Sequence, residues 1–368
     1  MTRSPRKKLR FGAAAALLAL AARLGANGEV PPDRMFSTVR VADGVYAFVA
    51  AETNGPIPSG NVTAILGDDG ALVVDSGRFP SLARRMIGEI RRRTDRPVRF
   101  LVHTHWHLDH VAADAEFRKA FPSLTFLATD FTRRKMLEKQ VAYLRDIQKN
   151  NAGYVRDLEA YVAAGKRADG TPLSDSDRSY LRREIADIEM ETSELAGVPL
   201  VEPDVTFSRE TTVHLGKREV RIAFLGAGNT AGDAVTFVPD AKVAIAGDLL
   251  VSPVPYGYGC SPREWIETLR RLMGSGATAI VPGHGPVLHD WKYAEKVLRL
   301  LEAVRVRVGE AAAAGASPEE TRKRVDLTDF EKEFAGDDPD RRKAFRGFFA
   351  APAVERAYQE AKGALAEE

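Results

Sequence analysis

Four of the seven histidines in this 368-residue chain fall between His103 and His110. The run His105-Trp106-His107-Leu108-Asp109-His110 places three imidazoles and one carboxylate close together. Imidazole nitrogen and carboxylate oxygen are the donors that zinc and its borderline neighbours take up. The run follows Val98 to Val102, an apolar stretch that reads as a buried strand. Binding and catalytic side chains gather on loops at such strand ends. On an extended segment residues two apart point the same way, so His105 and His107 can reach one metal together. Asp109 and His110, near the turn into the next helix, can face a second.

A zinc takes about four ligands, so two metals sharing a bridging group need donors from other strand ends. Three places offer them. Gly247-Asp248 follows the apolar run Val243 to Ala246. Pro282-Gly283-His284-Gly285-Pro286 follows Ala277 to Val281, and Gly228-Asn229-Thr230-Ala231-Gly232-Asp233 follows Val220 to Leu225. Taken singly, Asp248 reads as a helix N-cap, His284 as a turn residue and Asn229 as a turn hydrogen bonder. Their joint occurrence after apolar strands makes them ligand candidates.

The elements that must position these residues are legible from pattern. Ser37 to Val41 and Val45 to Ala50 flank Ala42-Asp43-Gly44, and Val62 to Leu66 and Ala71 to Val74 flank Gly67-Asp68-Asp69-Gly70; both are hairpin signals. Pro80 to Arg93 has helical spacing, Val98 to His103 is a strand, Val111 to Ala120 a helix and Leu124 to Ala128 a strand. This alternation favours an architecture of strands buried between helices. Phe131 to Leu195 breaks the rhythm: it is long and charged, and predicts two helices, interrupted near Gly165 to Ser174, inserted as a hairpin. The β-pattern returns from Val205, with strands at Thr212 to Leu215, Val220 to Leu225, Ala234 to Val238, Val243 to Ala246 and Ala277 to Val281. Helices are expected at Pro262 to Met273 and Tyr293 to Ala314, and the charged tail from Ser317 reads as helical with Phe330, Phe334, Phe345, Phe348 and Phe349 as packing residues.

Together these features resemble the metallo-β-lactamase superfamily of metallo-hydrolases. The family's His-x-His-x-Asp-His motif is matched by His105, His107, Asp109 and His110, its late loop histidine by His284, its bridging acid by Asp248, and its strand-end Asp-Ser/Thr-Gly by Asp75-Ser76-Gly77. The resemblance covers roughly Val39 to His289 without the helical insertion. It implies an α+β fold, a four-layer αββα sandwich with the metals at one edge and usually two zinc ions. One position departs. Asn229 stands where the family carries a histidine in its Gly-His-Thr-x-Gly-Asp loop. An amide oxygen is a harder, weaker donor to zinc than imidazole. Unequal sites are therefore expected: a first with His105, His107, bridging Asp248 and Asn229 as a weak ligand, and a tighter second with Asp109, His110, His284 and Asp248. His103 is a poor substitute, since it sits inside the strand end.

The chemistry implied by the resemblance is hydrolysis. A bound zinc lowers the pKa of its water toward neutrality and stabilises an oxyanion, and Asp109 is the expected catalytic residue, orienting the nucleophile or passing a proton to the leaving group. Asp75 and Thr230 are expected to orient ligands. Ester, thioester, lactone and lactam bonds all suit. The small-molecule substrate is expected beside the loops 52–61 and 253–258, with Trp106, Asn61 and Tyr256 lining a groove. Two alternatives stand beside this. One is an oxidative reaction on a single iron in the first site, disfavoured by the lost histidine. The other is a metal- or ligand-binding protein with little or no turnover.

Composition bounds the rest. The chain is 44% hydrophobic and 28% charged, an ordinary globular make-up. Residues 1–26 carry six basic side chains and no acid, followed within that span by the Ala/Leu-rich run Phe11 to Ala22, and read as a cleaved signal sequence. The remainder holds 47 basic and 51 acidic residues, a formal charge of −4; that excludes a general affinity for nucleic acid or anionic membrane. A periplasmic or secreted protein without a stable membrane anchor is expected. The single cysteine, Cys260, excludes an internal disulfide framework. The expected organisation is a signal at 1–26, a metallo-β-lactamase-like domain at 27–300 with the insertion at 131–196, and a helical extension at 301–368 packing on the same domain.

Overall fold

Short β-branched runs separated by Gly-Asp turns set the pattern of the first half, and they pair as a seven-stranded sheet. In a computed structural model, which describes residues 36–51 and 57–366, the strands are β1 (Phe36–Ala42), β2 (Val45–Ala50), β3 (Val62–Leu66), β4 (Ala71–Val74), β5 (Val98–Val102), β6 (Thr125–Thr129) and β7 (Val205–Phe207). They lie in sequence order. The reading of residues 1–26 as a signal lies outside the described residues, as does part of the loop 52–61. Hairpins join β1 to β4 antiparallel. From β4 onward the pairing is parallel, which requires crossover segments: the helix Pro80–Arg91, the helix Asp114–Ala120 and the long insertion.

The second sheet holds β8 (Glu210–Leu215), β9 (Arg218–Phe224), β10 (Ala234–Val238), β11 (Val243–Val251) and β12 (Ala279–His284), in the order β12-β11-β10-β9-β8. Its two sheet-end strands β11 and β12 run parallel, bridged by the helix Pro262–Met273. Ile65, Leu72, Val74 and Val102 from the first sheet meet Val220, Ile222, Val243 and Val281 from the second in one buried layer. Helices cover both outer faces. Phe79, Leu82, Met86 and Phe117 pack on the first sheet, and Trp265, Leu269, Leu300 and Leu301 on the second. The architecture is the four-layer αββα sandwich.

Two segments are added to this core. Residues 141–164 and 175–194 form a helical hairpin. The first helix stops at Gly165 in the left-handed conformation, where glycine carries no steric penalty; the second starts with a Ser174–Asp177 capping box. Leu158, Leu181, Ile185 and Ile188 bury themselves with Phe79 and Leu82 against the helical face of the first sheet. The C-terminal helices Pro318–Arg324, Thr328–Ala335, Pro339–Ala344 and Ala351–Ala361 place Phe334, Phe345, Phe349 and Val354 in the same cluster as Trp265 and Leu301.

Most boundaries shift by a residue or two from the sequence pattern, and three of the differences bear on the donors. Asp248 lies within β11 rather than after it, because the strand continues to Val251 with all nine residues buried; an apolar run broken by Gly-Asp reads as a strand end until its neighbours are known. His284 closes β12 rather than standing in the loop beyond it. The helix expected at Val111 to Ala120 begins earlier, as the single turn Leu108–Val111, and resumes at Asp114.

Phe349 is fully buried, and truncating a buried Phe to Ala costs about 3–5 kcal/mol. Phe349→Ala is expected to shift one cooperative urea transition to lower concentration. A new early transition that leaves the main one in place would show that the C-terminal helices unfold independently of the sandwich.

Candidate metal centre

The donors meet because parallel strands end on the same side. Asp75 follows β4, the histidine run follows β5, Asp248 sits late in β11, and His284 ends β12. Backbone hydrogen bonds lock these ends together: Gly60 N–H to the Asp109 carbonyl (3.0 Å), Ser76 N–H to the His110 carbonyl (2.8 Å) and Asn61 N–H to the Gly283 carbonyl (2.7 Å). Close approach requires missing side chains. A Cβ on Gly60 would lie 2.5 Å from the His110 ring, and one on Gly283 would lie 1.9 Å from Asp248 Oδ1.

Two groups of donors result: His105, His110 and Asp248, and Asp109, His110 and His284, each with its ligand atoms within 4.8 Å of one another. His110 Nε2 is 3.2 Å from His284 Nε2, 3.2 Å from Asp248 Oδ1 and 3.5 Å from Asp109 Oδ2. His284 Nε2 is 3.0 Å from Asp109 Oδ2 and 3.5 Å from Asp248 Oδ1. His105 Nε2 is 3.7 Å from Asp248 Oδ2 and 2.9 Å from His107 Nδ1. His105 and His107 therefore stand together, as their spacing suggested. His110 touches both groups rather than only the second, because its place on the one-turn helix aims Nε2 between them.

Asp75 orients two of the rings. Its carboxylate accepts from Thr104 N–H (2.7 Å), from Thr104 Oγ1–H (2.8 Å) and from His110 Nδ1 (2.8 Å). Thr104 Oγ1, with its proton given to Asp75, accepts in turn from His105 Nδ1 at 3.0 Å. Nδ1 of both imidazoles is thereby occupied, which directs Nε2 of each toward the centre as the atom available to a metal. Asp75 holds a positive φ of 60°, a conformation that Asp tolerates better than most residues. Thr104 went unnoticed in the sequence; its signal was its place between two histidines. Thr230 is bonded to Asp233 rather than to a ligand.

The electrostatics match a cation site. Burial, together with the neighbouring His110, pushes His105 well below the ordinary imidazole range, so it is a neutral donor. Burial also opposes charge on His110, but the carboxylates of Asp248, Asp109 and Asp75 outweigh it and hold that ring well above its usual range. Burial likewise disfavours the charged forms of Asp109 and Asp248; the surrounding imidazoles win, and both are held below the ordinary carboxylate range. Asp248 Oδ1 is buried and makes no hydrogen bond among the described residues, although two imidazole nitrogens lie within 3.5 Å. Lone pairs of N and O converging in a buried space are the donor set of a divalent ion.

Other expected site residues fall variously. Asn229 is fully buried; its Nδ2 donates to the Tyr256 carbonyl at 3.0 Å, and its Oδ1 has no partner among the described residues. His103 points into the core, 3.2 Å from Asp114 and against Phe126, not toward the donors. Trp106 and Tyr256 line a cavity of about 330 Å³ beside His107, Asp109 and Asp248. Burial and the Asp109 and Asp248 carboxylates hold the Tyr256 phenol well above its ordinary range, so it is neutral. Asn61 does not line this cavity. Its side chain accepts from Ala50 N–H and donates to the carbonyls of Pro282 and Gly285; it clasps the two sheets together because its amide matches backbone groups on both. Tyr258, from the loop 253–258 expected beside the substrate, lines the cavity as well; sequence reasoning missed Arg78, Gln140, Tyr143 and Phe348, which also line it. Most of these come from the segments outside the motif, and no local pattern marks them.

The sequence profile described as the metallo-beta-lactamase superfamily matches residues 56–284, and the chain belongs to that family. The linear primary-alkylsulfatase of Pseudomonas sp. (strain ATCC 19151) is 23% identical over 242 residues, which cover 63% of this chain and 42% of that enzyme. The chain thus spans less than half the length of this curated relative. The solved structure of a metallo-beta-lactamase from Pontibacter korlensis is similar with a TM-score of 0.50 and 18% identity, covering 73% of this chain and 99% of that one. The structure of VMB-1 is similar to the same TM-score at 15% identity, covering 73% and 98%. These structures support the fold.

Because Asp75 orients two rings, Asp75→Asn is expected to weaken metal affinity about 10–100-fold. Asn accepts the same backbone conformation but has one acceptor oxygen for the two that Asp75 uses, so the thermal midpoint should fall as well. Competition with a chromophoric chelator measures this; unchanged affinity would remove the orienting role.

Proposed function

We infer that the protein is a metal-dependent hydrolase acting on an ester-type bond of a small molecule. The observation that carries this reading is the convergence of Asp109 and His110 after β5, Asp248 in β11 and His284 at the end of β12, with Asp109 and Asp248 lining a cavity large enough for a ligand. Zinc is the ion the nitrogen and oxygen donor set suits best. His105, His107 and Asp248 would hold it on one side, and Asp109, His110, His284 and Asp248 on the other. When bound, such an ion supplies an acidified water and positive charge for a developing oxyanion.

The protein's own residues do the rest. Asp75 and Thr104 keep His105 and His110 as Nε2 donors. The ionised Asp109 carboxylate, at the cavity wall, orients the attacking water and carries a proton toward the leaving group. Carboxylic ester, thioester, lactone and lactam bonds are within this chemistry. The alkylsulfatase relative adds sulfate esters to the classes worth assaying. The N-terminal residues 1–26, basic and then apolar, support export to a periplasmic or extracellular compartment. Among the described residues, no helix is long and apolar enough to cross a membrane.

The first metal site is the weaker in this reading. Asn229 commits its Nδ2 to the Tyr256 carbonyl and offers at most an amide oxygen, a poor zinc donor beside imidazole. That substitution also favours the second reading, a metal-binding protein with little or no turnover.

Metal removal and restoration separate the two. Hydrolysis of at least one ester, thioester, lactone, lactam or alkyl sulfate should vanish with chelator and return with zinc, and Asp109→Asn should lower kcat by about 10²-fold or more. Full zinc loading with no turnover across that panel would leave the binding protein. Asn229→His is expected to raise zinc content from about one ion per chain toward about two, measured by elemental analysis. Equal stoichiometry in both forms would show that the amide is no handicap.

A further inference from the structure

The cavity above the donors is walled by the two segments added to the sandwich. Tyr143 comes from the helical insertion and Phe348 from the C-terminal segment, which lies beyond the family-matched residues. Neither wall is loose. Lys343 pairs with Asp177 at 3.0 Å and Arg183 with Asp340, so the insertion and the C-terminal segment are clamped to each other over the groove. Phe348 accepts a hydrogen bond from Gly257 N–H on its carbonyl (2.8 Å). Its ring meets Tyr256 edge-on at 5.5 Å and Tyr258 at 6.0 Å.

The two longest polar side chains lining the cavity apart from the donors, Gln140 and Arg78, are already engaged. Gln140 Nε2 donates to the Trp106 carbonyl (3.2 Å). The Arg78 guanidinium forms a largely buried ion pair with Glu191, with Nε at 2.9 Å from the carboxylate. The Trp106 indole nitrogen is buried and makes no hydrogen bond among the described residues. What the walls present is aromatic surface from Trp106, Tyr143, Tyr258 and Phe348, and Tyr143 and Tyr258 remain 55% and 47% exposed. Aromatic surface left open beside a reactive centre is the form of an apolar binding site.

On the hydrolase reading above, we propose that the substrate carries a neutral apolar arm, an aryl or medium-length alkyl group, which lies between the insertion and the C-terminal segment, and that Phe348 is the specificity-determining residue for it. The scissile bond then sits at the cavity floor beside Asp109 and Asp248, and the arm runs outward along the aromatic walls. The volume of about 330 Å³ is at the small end of ligand pockets, which fits a single arm and not a second bulky group.

The test uses the full-length zinc-loaded protein with methyl acetate, methyl octanoate and monomethyl succinate, following acid release. The octanoate is expected to exceed both others in kcat/KM by about tenfold or more, since each methylene in an apolar pocket adds to discrimination. Phe348→Ala should cut the octanoate-to-acetate ratio about tenfold, and Phe348→Leu should keep it; the ratio is blind to loss of folded or metallated protein. A wild-type ratio near one, an unchanged ratio in Phe348→Ala, or a preference for the anionic succinate ester at Arg78 overturns the proposal while leaving the hydrolase reading intact. If none of the esters is turned over, 1-octanol binding, followed by tryptophan fluorescence, decides the cavity claim separately. Binding weakened about tenfold in Phe348→Ala supports the apolar site, and equal binding in the two forms overturns it.

Discussion

Three buried carboxylates, Asp75, Asp109 and Asp248, lie 2.8, 3.5 and 3.2 Å from the nitrogens of one imidazole, His110. Like charges gathered in a low-dielectric interior repel strongly, and each is costly to desolvate. The arrangement survives because cationic or cation-binding partners are interleaved with the acids. In the absence of a metal, protonated His110 supplies part of the balance. A divalent ion would take the place of that proton, and the donor atoms already converge on one volume. Charge balance in this volume is the constraint around which the surrounding backbone is arranged.

The sandwich meets the constraint by rigid geometry. Buried strands with both faces covered cannot slide without exposing their apolar residues, so the ends of β4, β5, β11 and β12 stay in register with one another. Glycines at 60 and 283 let backbone approach His110 and Asp248 where any side chain would collide. The Asn61 side chain ties β2 to β12 and to Gly285 just beyond it through three hydrogen bonds to backbone groups. The backbone hydrogen bonds of Gly60 and Asn61 to Asp109 and Gly283 hold the donor-bearing segments of the two sheets together.

The added segments are also core. The insertion buries its apolar stripe with the helices of the first sheet, and the C-terminal helices share a cluster with Trp265 on the second. They close over the groove from opposite sides and meet through ion pairs. The sandwich accordingly supplies the clustered donors, and the two added segments wall the cavity beside them. Asn229 hydrogen-bonds the loop that carries Tyr256, the residue against which Phe348 packs.

The histidine string, its carboxylate, the strand-helix alternation and the insertion are legible from residue types alone, because side-chain periodicity and donor chemistry are local properties. Strands β3, β4 and β10 and the helix Pro262–Met273 coincide with the pattern to the residue. Which donors share a centre is a different kind of fact. That His110 reaches both groups, that Asp248 lies inside a strand, that Asn61 clasps backbone rather than facing substrate, and that Arg78, Tyr143 and Phe348 border one cavity all depend on contacts between residues tens to hundreds of positions apart. Spacing along a chain cannot encode those distances. They are set by how two sheets and two helical additions pack, which only the tertiary structure decides.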